Sequence, residues 1–266
     1  MMVMGVSMSI SSILATAVAY CIRGYVQSIS GVEGVGLYQA GFVIMTSYVG
    51  LIFNAISTDY YPRLASINND NNKCREIVSQ QGEIATMILA PLLTMCLVFM
   101  PFVLKVLYSN QFIEANLYIT WACLGMMLRL ASWIISFLFV AKAESKLFII
   151  NETIANVLSL FFSIIGFRYW GLQGLGVAFS ATYFVYFIQV YLIVRKRYLF
   201  EFSQDFKKVF LLQFLFVTVC LVIVLLFSGW KKYLFGSIIA FASLAAGLVG
   251  LNKKMRLSEL IKRYRR

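Results

Sequence analysis

Not one histidine occurs in this chain, and its acidic side chains number only eleven against twenty-three basic ones. The missing imidazole removes the commonest general base and the commonest zinc ligand together. No paired carboxylates suggest acid–base chemistry, and Cys21, Cys74, Cys96, Cys123 and Cys220 show no metal-binding spacing. Four of the five lie in or at apolar runs and one in a basic loop, so free thiols without a disulfide are expected. Nothing calls for a cofactor or a metal. No region outside the apolar runs is large enough to be a soluble catalytic domain, so an enzyme is not expected.

What the chain has instead is apolar length. Hydrophobic residues make up 61% of it and the mean hydropathy is +0.83, far outside the soluble globular range. Eight apolar runs stand out, at 3–22, 36–56, 84–104, 117–140, 147–166, 172–194, 209–227 and 233–251. Each is about 19–24 residues long, enough to cross a hydrocarbon core of roughly 30 Å as a helix. The expected fold class is an all-α polytopic membrane protein with eight transmembrane helices. Counted in strict alternation, seventeen of the twenty-three basic residues fall on the side that carries both termini and five on the other, with Arg129 left over. That asymmetry places both termini in the cytoplasm. The net charge of +12 therefore reports topology and contact with anionic headgroups, and no nucleic-acid partner is expected. Tyr60, Tyr61, Trp121, Tyr169, Trp170 and Trp230 lie near run ends, as interfacial aromatics do.

The opening MMVMGVSMSI has no basic n-region, and the first run is too long for a signal-peptide core. Beginning directly inside a helix suggests the later part of something larger. Residues 1–194 read as one six-helix unit. Residues 195–208, with Tyr198, Phe200, Phe202 and Phe206 among charges, read as an amphipathic connection lying along the membrane surface on the cytoplasmic side. Residues 209–251 add two peripheral helices, and 252–266 read as a solvated basic cytoplasmic tail that anchors topology. The loop 57–83 reads as a short element, a turn over Asn68–Asn72, and a helix running into the third span.

Polar groups inside the runs carry the functional signal, because in lipid they must face protein or water. Arg129 sits at the centre of the fourth run, on a stripe with Tyr118, Gly125, Ser132 and Ser136. A central arginine costs at least about 2.5–3.5 kcal/mol and needs a partner or an aqueous cavity. In the fifth run Glu152, Asn156, Ser159 and Ser163 share one face. Two readings stand: a structural Arg129–Glu152 pair that orders the bundle, or a polar cavity holding a mid-membrane cation. Thr16 in the first run, with Arg23 in register at its outer end, and Asn54 in the second are further candidates for a cavity lining. The glycines opening the sixth run, Gly171, Gly174 and Gly176, read as close helix packing.

The stretch GVEGVGLYQAGFVIMTSYVGLIFNAISTDYYPRLA, residues 31–65, resembles the second-half signature of polysaccharide flippases. These are the Wzx-type O-antigen translocases of the multidrug/oligosaccharidyl-lipid/polysaccharide exporter superfamily. Gly34, Gly36, Leu37 and Tyr38 enter a span, and Tyr61, Pro62, Arg63 and Leu64 leave it. The glycine-rich YWGLQGLGVAFS, residues 169–180, matches the family's twelfth-helix entry, and the two closing helices match its fourteen-helix members. The resemblance implies one six-helix lobe of a two-lobe exporter fold plus two additional helices. The other lobe is missing, so a partner chain or the absent N-terminal lobe would have to complete the cavity between lobes.

It further implies flipping of an undecaprenyl-diphosphate-linked oligosaccharide across a bacterial inner membrane by alternating access. The lipid-linked oligosaccharide, membrane lipids and the polysaccharide assembly machinery would be the partners. Placement alone assigns Arg129 and Arg23 to the diphosphate, and Ser132, Asn156, Asn54, Thr16 and Glu152 to the rest of the substrate site. The alternatives are a multidrug or cation antiporter of the same superfamily, for which Glu152 is the one acidic residue deep in a span, and a non-transporting subunit or relic.

Overall fold

A computed structural model describes residues 2–255, and every regular element among them is helical. The helices are α1 (Met2–Val43), α2 (Gly50–Ser66), α3 (Asn71–Leu107), α4 (Asn116–Ala141), α5 (Ser145–Tyr198), α6 (Gln204–Leu226) and α7 (Trp230–Met255). A π-helical turn, Ile44–Tyr48, runs α1 into α2, and a 3-10 turn, Asn110–Ala115, leads into α4. Six helical stretches are long and apolar enough to cross a membrane, which makes this a multi-pass membrane protein.

Two of those stretches are far longer than a bilayer needs, 64 residues over Val3–Ser66 and 54 over Ser145–Tyr198. Each is two helices joined at a glycine. Gly31 stands at φ 67, ψ −167 and Gly171 at φ 55, ψ −138, backbone that side-chain-bearing residues rarely adopt. At both points the chain doubles back. Glu152 bonds to Tyr186 and Asn151 to Gln189, although 34 residues of straight helix would span about 51 Å. A Cβ on Gly174 would fall 1.8 Å from the Gly166 carbonyl oxygen, so the two arms of α5 touch backbone to backbone near their turn. In α1, the Arg23 guanidinium lies 5.9 Å from the Phe42 ring across the Gly31 break. The breaks fall in the gaps between the first and second and between the fifth and sixth apolar runs.

The turn expected in the loop 57–83 is present. Asp70 caps α3, its carboxylate accepting from the backbone N–H of Asn72 at 3.0 Å and Lys73 at 3.1 Å. Those hydrogen bonds, with the one from Lys73 first in weight, hold its carboxyl below the usual range. Lys142 reaches across from the α4–α5 turn to the Asn68 carbonyl and to Asn71 Oδ1, tying two basic-side loops together.

α4 is the central post of the bundle: Ala122, Cys123, Met126, Leu130 and Ile134 are fully buried. Small residues let its neighbours close in, as they must where lipid offers no hydrophobic drive between helices. Gly125 lies against Phe179 and Ser180, and Gly176 against the Tyr118 carbonyl. Ser180 Oγ donates to the Trp121 carbonyl at 2.7 Å. The glycine packing expected of the sixth run is met at Gly174 and Gly176, while Gly171 makes the turn.

α6 and α7 pack on α3 and on each other, and α6 also touches α4. Gly236 meets Val98, and Gly247 meets the Met87 carbonyl. Between them Gln213 and Ser243 exchange hydrogen bonds, Ser243 Oγ donating to Gln213 Oε1 at 2.7 Å and Gln213 Nε2 to the Ser243 carbonyl at 3.2 Å.

The connection into α6 does not spread its aromatic side chains on a membrane surface. Phe200, Phe202 and Phe206 are buried, in a stack that runs from Tyr191 through Phe202 to Phe206, with ring centroids 5.9 and 4.1 Å apart. Ser203 caps α6 by accepting from the Phe206 N–H, which turns the rings inward under α3.

The same fold buries Glu83, which the sequence placed at the end of a surface loop. It is 1% exposed, accepts from Ser203 Oγ at 3.2 Å and pairs with Lys254. The basic tail expected over 252–266 lies outside the described residues from 256 onward.

Candidate functional cavity

The two arms of α5, the central α4 and the α1 hairpin enclose a cavity of about 360 Å3. Its polar wall is the one that helical periodicity marks. Arg129, Ser132 and Ser136 come from α4; Glu152, Asn156, Ser159 and Ser163 come from the first arm of α5. The second arm adds Thr182, Tyr183 and Tyr186, and Thr46 enters from the π-helical turn. The backbone there departs from the α-helix beside the cavity, as π turns at functional sites often do.

Arg129 is half-buried, thirteen residues into α4 and so about 20 Å from its start. Among the described residues no carboxylate lies within 4.0 Å of it. Its guanidinium instead sits 5.4 Å from the Phe53 ring and 5.5 Å from the Tyr183 ring, with Met126 Sδ 3.9 Å from Nη1. Aromatic faces attract a cation but accept no strong hydrogen bond, so the donor fork stays free for an anion.

Glu152 is engaged elsewhere: Tyr186 donates to its Oε1 at 2.6 Å. The two charges expected to pair or to share a cavity therefore share the cavity without pairing.

The hydroxyls are prepared as acceptors. Ser132 and Ser136 donate to the carbonyls of Arg129 and Trp133 three residues back, at 2.9 and 2.8 Å. Their protons are thereby satisfied within the helix, and their oxygen lone pairs remain. Asn156 Nδ2 donates to the Glu152 carbonyl at 2.8 Å. Tyr118 Oη is buried and has no protein partner among the described residues. Such a group is normally met by water or by a ligand.

Of the seven expected site residues, Arg129, Ser132, Glu152 and Asn156 line this cavity. Arg23 lies behind its wall, its guanidinium 5.9 Å from the ring of the cavity-lining Phe42 and 5.3 Å from that of Tyr20. Thr16 and Asn54 do not reach it: both are exposed, on the outer faces of α1 and α2. In the aromatic wall, Tyr183 ends the small and polar face that opens with the glycines of the sixth run, whereas Trp133, Phe179 and Tyr186 were not singled out from sequence. The signal for Tyr186 was available, since Tyr183 follows Ser180 by three and Tyr186 follows Tyr183 by three.

Comparison with known proteins follows the same outline. A family model described as "Polysaccharide biosynthesis protein" matches residues 1–117. The lipid III flippase of Escherichia coli (strain K12) is 27% identical over 173 residues, 62% of this chain and 40% of that protein. The lipid III flippase of Shigella flexneri matches with the same figures. The chain thus spans well under half the length of these curated relatives.

A solved structure of the lipid II flippase MurJ, in an inward closed conformation, superposes with a TM-score of 0.70 at 16% identity. It covers 95% of this chain and 53% of that one, and the likeness is one of fold. The named relatives are flippases, and this chain is similar to them, and to the polysaccharide-biosynthesis family model, over part of its length.

Proposed function

We propose that this chain is one lobe of a flippase that carries an undecaprenyl-diphosphate-linked oligosaccharide from the cytoplasmic to the outer leaflet of a bacterial inner membrane. It would act in O-antigen or related surface-polysaccharide synthesis, beside the polysaccharide assembly machinery, as a transporter and not an enzyme. With the arms of both hairpins counted separately, the helices make eight crossings, and both termini are cytoplasmic. Six crossings form the lobe, and α6 and α7 are the additional pair.

One observation carries the reading: a mid-membrane arginine, free of any carboxylate within 4.0 Å among the described residues, opens onto a cavity of hydroxyl acceptors. Leaving such a cation unpaired in low dielectric costs at least about 2.5–3.5 kcal/mol. That cost is offset when a substrate anion arrives, and the diphosphate of a lipid carrier is such an anion, with oxygens suited to the guanidinium fork.

The cavity is small for a binding site, near the lower end of a range of roughly 300–1,000 Å3. It holds part of a headgroup, and the remainder would extend beyond this lobe toward a second one. Thr16 and Asn54 support that: they are exposed on the stretch Val3–Ser66, whose most apolar window is only 11% buried within this chain. Polar side chains there fit a face covered by a further lobe or a second chain better than one facing lipid. Rocking of the two lobes would then alternate access.

Arg129→Ala tests the reading in cells whose surface glycan depends on this chain. Loss of a charge-assisted contact of about 1.5–3 kcal/mol lowers export roughly ten- to hundredfold, with membrane levels of the protein unchanged. Export at the wild-type rate would remove Arg129 from the mechanism.

Glu152 favours a second reading, a cation or multidrug antiporter, because it is a carboxylate within the same cavity. Under that reading Glu152→Gln would abolish transport, whereas a glycan flippase would keep most of it.

A further inference from the structure

Away from the cavity, the second arm of α5 exposes an apolar stripe that ends in charge. Phe184, Ile188 and Leu192 follow at intervals of four and are 53%, 41% and 57% exposed. Arg195 and Lys196 come next on the same face, both exposed. Leu199 closes it, 82% exposed at φ 53, a left-handed backbone that leucine rarely takes. At this end a cleft of about 570 Å3 is lined by Leu192, Arg195, Lys196, Leu199 and Glu201.

The charges of the cleft do not cancel. Glu201 stands 3.5 Å from Arg195 and 4.0 Å from Arg75, so one carboxylate serves two guanidiniums. No acid among the described residues lies within 4.0 Å of Lys196. Two positive charges are left over beside two exposed leucines. A solvated loop has no use for a leucine presented in this way, whereas a bilayer interface does.

We propose that this cleft binds the headgroup phosphate of an anionic glycerophospholipid of the surrounding bilayer, with one acyl chain lying along Phe184, Ile188 and Leu192. From Phe184 to Lys196 the helix rises about 18 Å, which is close to the roughly 15 Å of hydrocarbon in one leaflet. With Phe184 near the midplane, Arg195 and Lys196 stand at phosphate depth.

A zwitterionic lipid is disfavoured, because its ammonium would sit among like charges. Glu201 is a built-in competitor for Arg195, so its removal strengthens the site. The inference rests on α5 crossing the membrane and not on the flippase reading, because the cleft is on the outside of the bundle and shares no residue with the cavity.

The test uses the full chain in nanodiscs of equal phosphatidylcholine and phosphatidylglycerol, with retained lipid counted by native mass spectrometry after mild extraction. Phosphatidylglycerol is expected to be retained at least about fivefold over phosphatidylcholine. Lys196→Gln lowers that ratio about fivefold, the effect of about 1 kcal/mol for one basic side chain at an anionic surface, and Arg195→Gln with Lys196→Gln lowers it further. Glu201→Gln raises it by a similar factor.

Equal retention of the two lipids, or an unchanged ratio in Lys196→Gln, overturns the proposal. A fall in Glu201→Gln would also overturn it, and displacement by inorganic phosphate at matched ionic strength would show a phosphate site without the acyl chain. Lys196→Gln is decisive even if the double variant folds poorly, because Lys196 makes no ion pair among the described residues.

Discussion

Glu83 and Arg129 are both charged side chains held inside the helical bundle, and the fold treats them oppositely. Glu83 is enclosed where α3, α6 and α7 meet, with Ser203 on one oxygen and Lys254 on the other. Further along α6 and α7, Gln213 and Ser243 also satisfy each other. Arg129 lies between α1, α4 and α5 with two aromatic rings, a thioether and a cavity for company. Neutralised polar groups fasten helices together. A cation left with its donors free is instead available to whatever enters.

That contrast can be broken or sharpened by substitution. The largest effect on stability is expected from Lys254→Met, which leaves a carboxylate of 1% exposure with one hydroxyl for partner. Stranding a buried charge costs about 3–5 kcal/mol, but the Lys254 side chain is 36% exposed and solvent-screened, so about 2 kcal/mol is expected. Thermal unfolding in detergent measures it. Pairing Lys254→Met with Glu83→Gln should recover most of the loss, and a double-mutant cycle without coupling would show that the pair does not fasten α7.

Gln213→Ala comes next, at about 1 kcal/mol, since interhelical hydrogen bonds within membranes are individually modest. It is read by the same unfolding measurement, with proteolysis between α6 and α7 as a second probe. The smallest loss is expected from Arg129→Met: no protein anion is stranded and an unpaired cation is removed, so stability in the same unfolding measurement should hold or rise. A large destabilisation there would mean that Arg129 is structural after all, and the distinction from Glu83 would collapse.

Much of the cavity was legible in the sequence because helical periodicity is a local property. Ser132 and Ser136 follow Arg129, and Asn156, Ser159 and Ser163 follow Glu152, at steps of three and four; all of them line one cavity. The apolar runs likewise mark the helices, and the gaps between them mark the Gly31 and Gly171 breaks.

What a stripe does not reveal is which neighbour stands opposite it. Thr16 and Asn54 lie on regular polar faces of their own helices, yet those faces point outward. Trp133 and Tyr186 look, by composition, like any aromatic that meets lipid. Glu83 escaped for a similar reason: its partners Ser203 and Lys254 lie 120 and more residues away, where no local pattern connects them. Phe200, Phe202 and Phe206 read as a surface-seeking set because their stacking partner Tyr191 belongs to the preceding helix.

The two glycine turns bear on how such a chain is made. Around Gly171 only five residues separate two apolar runs, so the insertion machinery has little hydrophilic chain to draw across the bilayer and that hairpin can enter as a unit, whereas around Gly31 the exposed, mostly polar residues 27–33 must cross with it. A protease or an antibody that reaches the side of those turns would therefore find more exposed chain at the Gly31 hairpin than at the Gly171 one.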